Sequence, residues 1–296
     1  MPLISFIIPF FRVEKGLLVK CIQSIIRTTT ADEREIIIVD DGNEIPASEI
    51  LSGFANQIKI IRQENLGLSE ARNTGNRHAT GEYIQYIDAD DCLTHQYEYC
   101  IRILKAKKPD ILFFRSSRNK ANVFRRIKEY GNGALYMLHN NLRSSVCMFV
   151  FKRENLKELR FTPDRVHEDE EFTPRLLLNC KKTIDCPFCA YEYRVRSGSI
   201  TNHVSQEYKR KRLDNVADII LFLRSINTKD STARRAMERR VSQLTMDYIY
   251  RSFQLTRNWS ELRQRCNGLH KQGLLPLPLK PYSWKYMMFA LISRLL

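Results

Sequence analysis

Carboxylates gather at three points of this sequence. Asp88-Ala89-Asp90-Asp91 sets three acids within four residues. Their mutual repulsion disfavours the charged state unless a cation lies among them. Hard oxygen ligands of this kind suit Mg²⁺ or Mn²⁺ shared with substrate phosphates. The ordinary alternative is a solvated acidic turn. Asp40-Asp41-Gly42 is the second point. An Asp at a strand end can accept from a base imide N–H or a ribose hydroxyl, or simply form the turn before the glycine. His167-Glu168-Asp169-Glu170-Glu171 is the third. Four acids at a helix start are favoured by the helix dipole. One buried carboxylate among them would serve as a general base, and periodicity does not select it.

Basic and small residues supply the complement. In Asn65-x-Gly67-x-Ser69-x-Ala71-Arg72-Asn73-x-Gly75, Gly67 permits close backbone approach and Ser69 is expected to cap a helix. The N-terminal amides of that helix would attract phosphate. Arg72, one turn in, offers a bidentate cation to a diphosphate, or is an exposed surface Arg. Tyr193-Arg194-x-Arg196-x-Gly198-Ser199 puts two arginines before a Gly-Ser turn, as a phosphate clamp or an ordinary edge strand. Cys186-Pro187-Phe188-Cys189 has no second pair at zinc spacing and no redox-motif context. It reads as packing. The six histidines show no metal-binding spacing, and His203 reads as a surface residue.

The elements around these residues alternate. Leu3–Pro9, Glu35–Asp41, Ile58–Arg62 and Tyr83–Asp88 read as strands. Gly16–Thr28 and Ser69–Ala79 read as helices with one apolar face. Strand–helix repetition predicts βαβ units and a mostly parallel sheet covered on both faces. Parallel strands end at one edge, so Pro9–Phe11, Asp40–Asp41 and Asp88–Asp91 should converge where open α/β sheets bind ligands. Beyond residue 110, Ile111–Arg115, Val146–Phe151 and Tyr191–Val195 read as strands, and a helix follows Glu168. Tyr208–Leu223 and Ser231–Leu255 are helical. A Pro-rich break at Pro276–Pro281 precedes the apolar segment Trp284–Leu296.

Composition bounds the rest. The chain has 296 residues, 43% hydrophobic and 27% charged. Those values exclude a wholly disordered, collagen-like or polytopic membrane chain. No apolar run reaches the roughly 18 residues of a membrane-spanning helix, and the first residues lack the pattern of a signal peptide. Eight scattered cysteines suit a reducing, cytoplasmic setting. The formal net charge is +15, yet residues 211–296 hold 16 basic and only 6 acidic residues. A nucleic-acid-binding chain should carry aromatic-basic strand motifs, zinc fingers or a helix-turn-helix. None appears, so no specific nucleic acid is expected.

In combination, six stretches resemble the family-2 inverting glycosyltransferases of the GT-A fold. In order they are SFIIPFF (5–11), IIIVDDG (36–42), ENLGLSEARNTG (64–75), ATGEYIQYIDADD (79–91), HEDEEFTPRLL (167–177) and YRVRSGSIT (193–201). The resemblance implies an α/β chain with a Rossmann-like sheet flanked by helices and a C-terminal helical extension. Residues 1–205 would be the catalytic domain, its nucleotide-sugar half covering about 1–110 and its acceptor half about 111–205. Residues 206–296 would be the basic extension. It also implies roles. Pro9 and Phe11 would line a nucleobase pocket with Asp41 bonding a uracil-type base. Arg72 would lie near base and diphosphate. Asp88 would meet ribose or sugar hydroxyls. Asp90 and Asp91 would serve the metal, Mg²⁺ or Mn²⁺. Asp169 would be the base, and Arg194 and Arg196 donor-side residues. The chain departs from the family at Phe11, usually Tyr followed by Asn, and at Gly42-Asn43, usually Ser or Gly-Ser.

The implied reaction is a metal-dependent single displacement. It moves sugar from a nucleotide-sugar donor to a glycan or lipid-linked saccharide acceptor, in surface polysaccharide assembly. A sugar-1-phosphate nucleotidyltransferase should instead carry a Gly-rich basic loop after its first strand, where this chain reads PFFRVEKG. A non-catalytic sugar-nucleotide binder remains the other reading. The basic tail, with Arg234, Arg235, Arg239, Arg240 and the terminal apolar segment, suggests peripheral contact with an anionic membrane. The rival expectation is that Met287, Met288, Phe289 and Leu291 pack inward.

Overall fold

A computed structural model describes residues 1–117, 126–194 and 206–295. The chain divides into two compact units, Met1–Tyr136 with Arg143–Arg196, and Met137–Leu142 with Ser197–Leu296.

The first unit is built on one sheet. Its strands are β1 (Ile4–Phe10), β2 (Arg34–Asp41), β3 (Lys59–Gln63), β4 (Tyr83–Tyr86), β5 (Cys92–Leu93), β6 (Ile111–Ser116), β7 (Lys128–Tyr130), β8 (Phe149–Lys152) and β9 (Thr183–Glu192). The spatial order is β3-β2-β1-β4-β8-β6-β9-β5, with β7 also on β9. β1 to β4 run parallel, as the βαβ reading requires. β8 then enters antiparallel to both β4 and β6, β9 pairs parallel with β6, and β5 and β7 pair antiparallel with β9. The parallel portion is therefore confined to β1 to β4, and the remainder is mixed.

Helices α1 (Lys15–Thr28), α2 (Ala47–Ile50), α3 (Gly67–His78), α4 (Tyr97–Lys107), α5 (Gly133–His139) and α6 (Glu168–Asn179) complete this part of the chain. α1 buries Leu18, Cys21, Ile22 and Ile25 along one stripe. Ser69 does not cap α3. The helix begins two residues earlier, and its first amides, those of Leu66 and Gly67, donate to Asp41 at 2.9 and 3.0 Å. The cap comes from the end of β2 because a buried carboxylate there outcompetes a local hydroxyl. Gly75 sits where α3 crosses β1, and a Cβ there would lie 2.3 Å from Ile7 Cγ2.

The final strand is not Tyr191–Val195. β9 runs from Thr183 to Glu192 and swallows the Cys186-Pro187-Phe188-Cys189 stretch. Its pairing with β6 shifts register between Phe113 and Arg115 and again before Ser116. A bulge of this kind accommodates a proline that has no ladder donor. Cys186 faces Cys100 with the sulfurs 4.0 Å apart, and all eight cysteines are free.

The second unit is helical: α7 (Gln206–Ser225), α8 (Ser231–Thr256), α9 (Trp259–Lys271) and α10 (Trp284–Ile292). Two of the four tail arginines expected at a membrane face are buried instead. Arg239 lies 4.9 Å from the Tyr282 ring centre and donates to Asn141. Arg240 donates to the Leu142 carbonyl. Arg234 and Arg235 are exposed. The terminal segment divides too. Tyr286 and Ala290 are buried and Met287 and Phe289 half-buried, while Met288 and Leu291 are exposed. Among the described residues no helix is long and apolar enough to cross a membrane.

Candidate active site

Parallel register brings the expected edge together. Pro9 aligns with Val39 and Phe10 with Asp40, while Ile7 aligns with Tyr86. The exits of β1, β2 and β4 therefore share one side of the sheet.

At the β2 exit both carboxylates are already committed. Asp40 is fully buried. One oxygen accepts from the Asn43 amide N–H and side chain at 3.1 and 2.7 Å, and the other from the Ala47 N–H at 2.9 Å. Asn43 also donates to the Phe10 carbonyl and accepts from the Arg12 N–H. This residue replaces the usual small turn residue and supplies hydrogen bonding around Phe11. It makes the β1 and β2 exits one structure. Asp41 accepts from Gln63 and from the two α3 amides. Two of these bonds fall on its Oδ1 and one on its Oδ2. Pro9 and Phe11 are half-buried beside it in sequence, with the Arg12 guanidinium 5.0 Å from the Phe11 ring centre.

Arg72 is the hinge of the site. Expected to face a diphosphate, it is only 4% exposed. Its guanidinium donates to Glu168 at the start of α6 and lies 3.6 Å from Asp88 at the exit of β4. Below it, Phe161 and Tyr86 present their rings at 5.3 and 5.8 Å, a cation–π floor that holds a desolvated cation. Burial alone would lower its pKa. Glu168 foremost, with Cys147, Asp88 and Asp169, raises it above the ordinary value. Its guanidinium is thus engaged by two carboxylates rather than presented as a free bidentate face. Arg72 Nε is buried with no hydrogen-bond partner.

The same aromatic cluster pins α6 to this place. Phe172 stacks on Phe161 with ring centres 4.0 Å apart, and Tyr86 meets Phe161 edge-on. Asn73 fixes Phe161 further, since its side chain donates to the Phe161 carbonyl and accepts from the Phe161 N–H, each at 2.9 Å. The acidic turn of α6 is then distributed. Glu168 pairs with Arg72, Glu170 accepts from Ser144, and Glu171 is buried among Thr162, Arg165 and Arg175. Asp169 lies half-buried between them and contributes to the field at Arg72.

The Asp88–Asp91 turn separates its members. Asp88 and Asp90 are part-exposed, the Asp88 side chain to 40%. Asp91 is 2% exposed, and its two oxygens accept from the Tyr191 hydroxyl and the Arg194 N–H, each at 2.8 Å. Burial, with added repulsion from Asp88 and Asp90, pushes its pKa up to about 7 against those two hydrogen bonds. Asp91, expected beside Asp90 at the metal, is therefore the buried member of the pair, and it ties the acidic turn to the end of β9. Tyr191 completes the tie by accepting from the Asp88 N–H. The Arg194 side chain lies 3.6 Å from Glu192. Arg196 and His203 lie outside the described residues.

Among the described residues no three His, Cys, Asp or Glu side chains converge as a metal centre. Asp88 and Asp90 fit a hard divalent cation that draws its remaining oxygens from solvent and a diphosphate. Asn43, Asn73, Glu168 and Tyr191 went unnoticed as positioning residues. Each acts through a partner 33 to 103 positions away, which no local pattern reports.

A Rossmann-like parallel half with part-exposed carboxylates at its exit, continued by a mixed acceptor-side sheet, is the GT-A architecture of glycosyltransferases. The glycosyl transferase family 2 profile matches residues 5–197, and the chain belongs to that family. It is 27% identical over 241 residues to glycosyltransferase GlyA of Streptococcus pneumoniae serotype 4, covering 74% of this chain and 34% of that one. It is 28% identical over 206 residues to the minor teichoic acid biosynthesis protein GgaB of Bacillus subtilis, covering 65% of this chain and 23% of GgaB. The chain thus spans about a third of GlyA and less of GgaB. Among solved structures it resembles S. aureus TarS 1-349 in complex with UDP-GlcNAc, with TM-score 0.73, 18% identity, and coverage of 93% and 82% of the two chains. It also resembles the mannosyltransferase PcManGT from Pyrobaculum calidifontis in complex with GDP-Man and Mn²⁺, with TM-score 0.65, 16% identity, and coverage of 99% and 87%.

Proposed function

We propose that this chain transfers a sugar from a nucleotide-sugar donor, a UDP-sugar, to a hydroxyl of a glycan or lipid-linked saccharide, with inversion, in surface polysaccharide assembly. The observation that carries the reading is the Arg72 bridge. One buried cation holds Asp88, at the exit of a parallel strand, to Glu168, the neighbour of Asp169. Donor-side and acceptor-side carboxylates are thereby held at one place.

Each residue then has a task. Pro9, Phe11 and Asp41 receive the base. Asp88 meets ribose or sugar hydroxyls, and Arg194 flanks the donor, as Arg196 would in the same segment. Asp90, with Asp88 beside it, would hold Mg²⁺ or Mn²⁺, which when bound offsets charge on the departing diphosphate. Asp91 positions Asp90. Asp169 accepts the acceptor hydroxyl's proton. That oxygen bonds to the anomeric carbon from the face opposite the diphosphate, and the carbon–oxygen bond to the nucleoside diphosphate breaks. The transition state has oxocarbenium character, as in glycoside hydrolysis. UDP-GlcNAc in a TarS complex and GDP-Man with Mn²⁺ in PcManGT support a nucleotide-sugar donor and a divalent ion.

The test pairs a donor panel, read by thermal shift with Mn²⁺, with the variant Asp169→Asn. Transfer should fall about a thousandfold while the donor-induced shift persists. Full turnover by a purified Asp169→Asn enzyme would overturn the assignment.

A further inference from the structure

We propose that the helical C-terminal unit carries a docking face for an anionic lipid bilayer surface, formed by one side of α10 together with Trp259. Trp284, Met288 and Leu291 recur at intervals of four and three, so they share one stripe of α10, and exposed Leu295 follows in the turn after it. All four are exposed, whereas Tyr286 and Ala290 turn the opposite side of α10 into the unit. Leu295 lines a surface pocket with Trp259 and Arg263, which joins the stripe to the start of α9. Trp259 in turn packs on exposed Phe253, ring centres 5.0 Å apart.

Two features choose the occupant. The chain has two tryptophans. Both lie on this face, 67% and 68% exposed. A large ring with one polar N–H is costly in water and favoured at the headgroup level of a bilayer. The charge around it, moreover, is mainly of one sign, with half-buried Glu261 near Trp259 as the exception. After Glu261 the chain has no Asp or Glu, while Arg263, Lys271, Lys280 and Lys285 are exposed. Lys285 sits 5.7 Å from the Trp284 ring centre, so cation and wedge would meet the same lipid. An apolar stripe rimmed mainly by cations repels a second copy of itself and matches an anionic leaflet. This face does not include the buried Arg239 and Arg240. It stands independently of the proposed chemistry, because its test reads binding alone.

The two tryptophans make that test direct. With vesicles of phosphatidylcholine containing 30% phosphatidylglycerol (on the order of cellular anionic content), intrinsic fluorescence should shift to the blue and be quenched by shallowly brominated lipid. Lys285→Glu with Arg263→Glu should weaken vesicle partitioning at least about tenfold. Trp284→Ser with Leu291→Ser should weaken it by a similar or larger factor. Unchanged thermal melting would show that these variants fold. Three results would overturn the proposal: no blue shift in folded protein, equal binding to pure phosphatidylcholine, or a lipid-free dimer in light scattering that already buries both tryptophans.

Discussion

The exits of β2 and β4 each end in adjacent carboxylates, yet the fold uses them in opposite ways. At β2, Asp40 and Asp41 accept six hydrogen bonds from protein donors, and together they assemble the turn and start α3. At β4, Asp88 and Asp90 stay part-exposed while only Asp91 is withdrawn into the protein. Sequence alone makes the two edges look equivalent. Burial separates them, since a carboxylate enclosed by amide donors builds the turn around it, and a part-exposed one beside like charges can meet a cation.

That contrast can be broken by exchanging the measurements. Asp90→Ala should reduce metal-dependent transfer about a thousandfold or more, and calorimetry should detect no Mn²⁺-dependent donor binding. Its unfolding free energy should fall by no more than about 1 kcal/mol, because the side chain removed is part-exposed and its repulsion of Asp91 is relieved. Asp40→Ala should do the reverse. Two Asn43 donors and the Ala47 amide lose their acceptor, so denaturant unfolding should report a loss of about 3 kcal/mol, with Mn²⁺ dependence of donor binding intact in the folded fraction. If Asp90→Ala proved the more destabilising of the two, the division between scaffold and ligand would be wrong.

The same contrast explains what could be read from the sequence. The parallel half was legible because a strand covered on both faces must be a continuous apolar run, as Ile36–Val39 is. The acidic turns were legible because charge cannot be hidden at such density. The role of each acid was not, since it depends on donors distant in the chain: the α3 amides for Asp41, Tyr191 for Asp91, Arg72 for Glu168. β9 was misplaced because Pro187 and the register shifts interrupt its alternation. α9 went unassigned, although Asn258 accepting from the Ser260 and Glu261 amides is a local cap signal, followed by Leu262, Cys266 and Leu269 at helical spacing. The tail charge was overcounted because a run of arginines does not reveal that Arg239 and Arg240 lie inside.

The finest division falls within the β4 turn itself, between Asp90 as the proposed ligand and Asp91 as its proposed support. Tyr191→Phe probes it without touching either carboxylate. The buried hydroxyl donates to Asp91 and accepts from the Asp88 N–H, so its removal leaves Asp91 one internal donor and the Asp88 amide none. The loss should be about 1 kcal/mol of stability. The turn that carries Asp90 should loosen with it, and donor affinity in Mn²⁺ should fall about threefold to tenfold while the rate at saturating donor changes less. A support acts by holding a ligand in place, so its removal appears in KM before kcat. An equal drop in kcat with unchanged KM would instead place Tyr191 and Asp91 in the chemical step, and the boundary between the buried and the open halves of this turn would have to be redrawn.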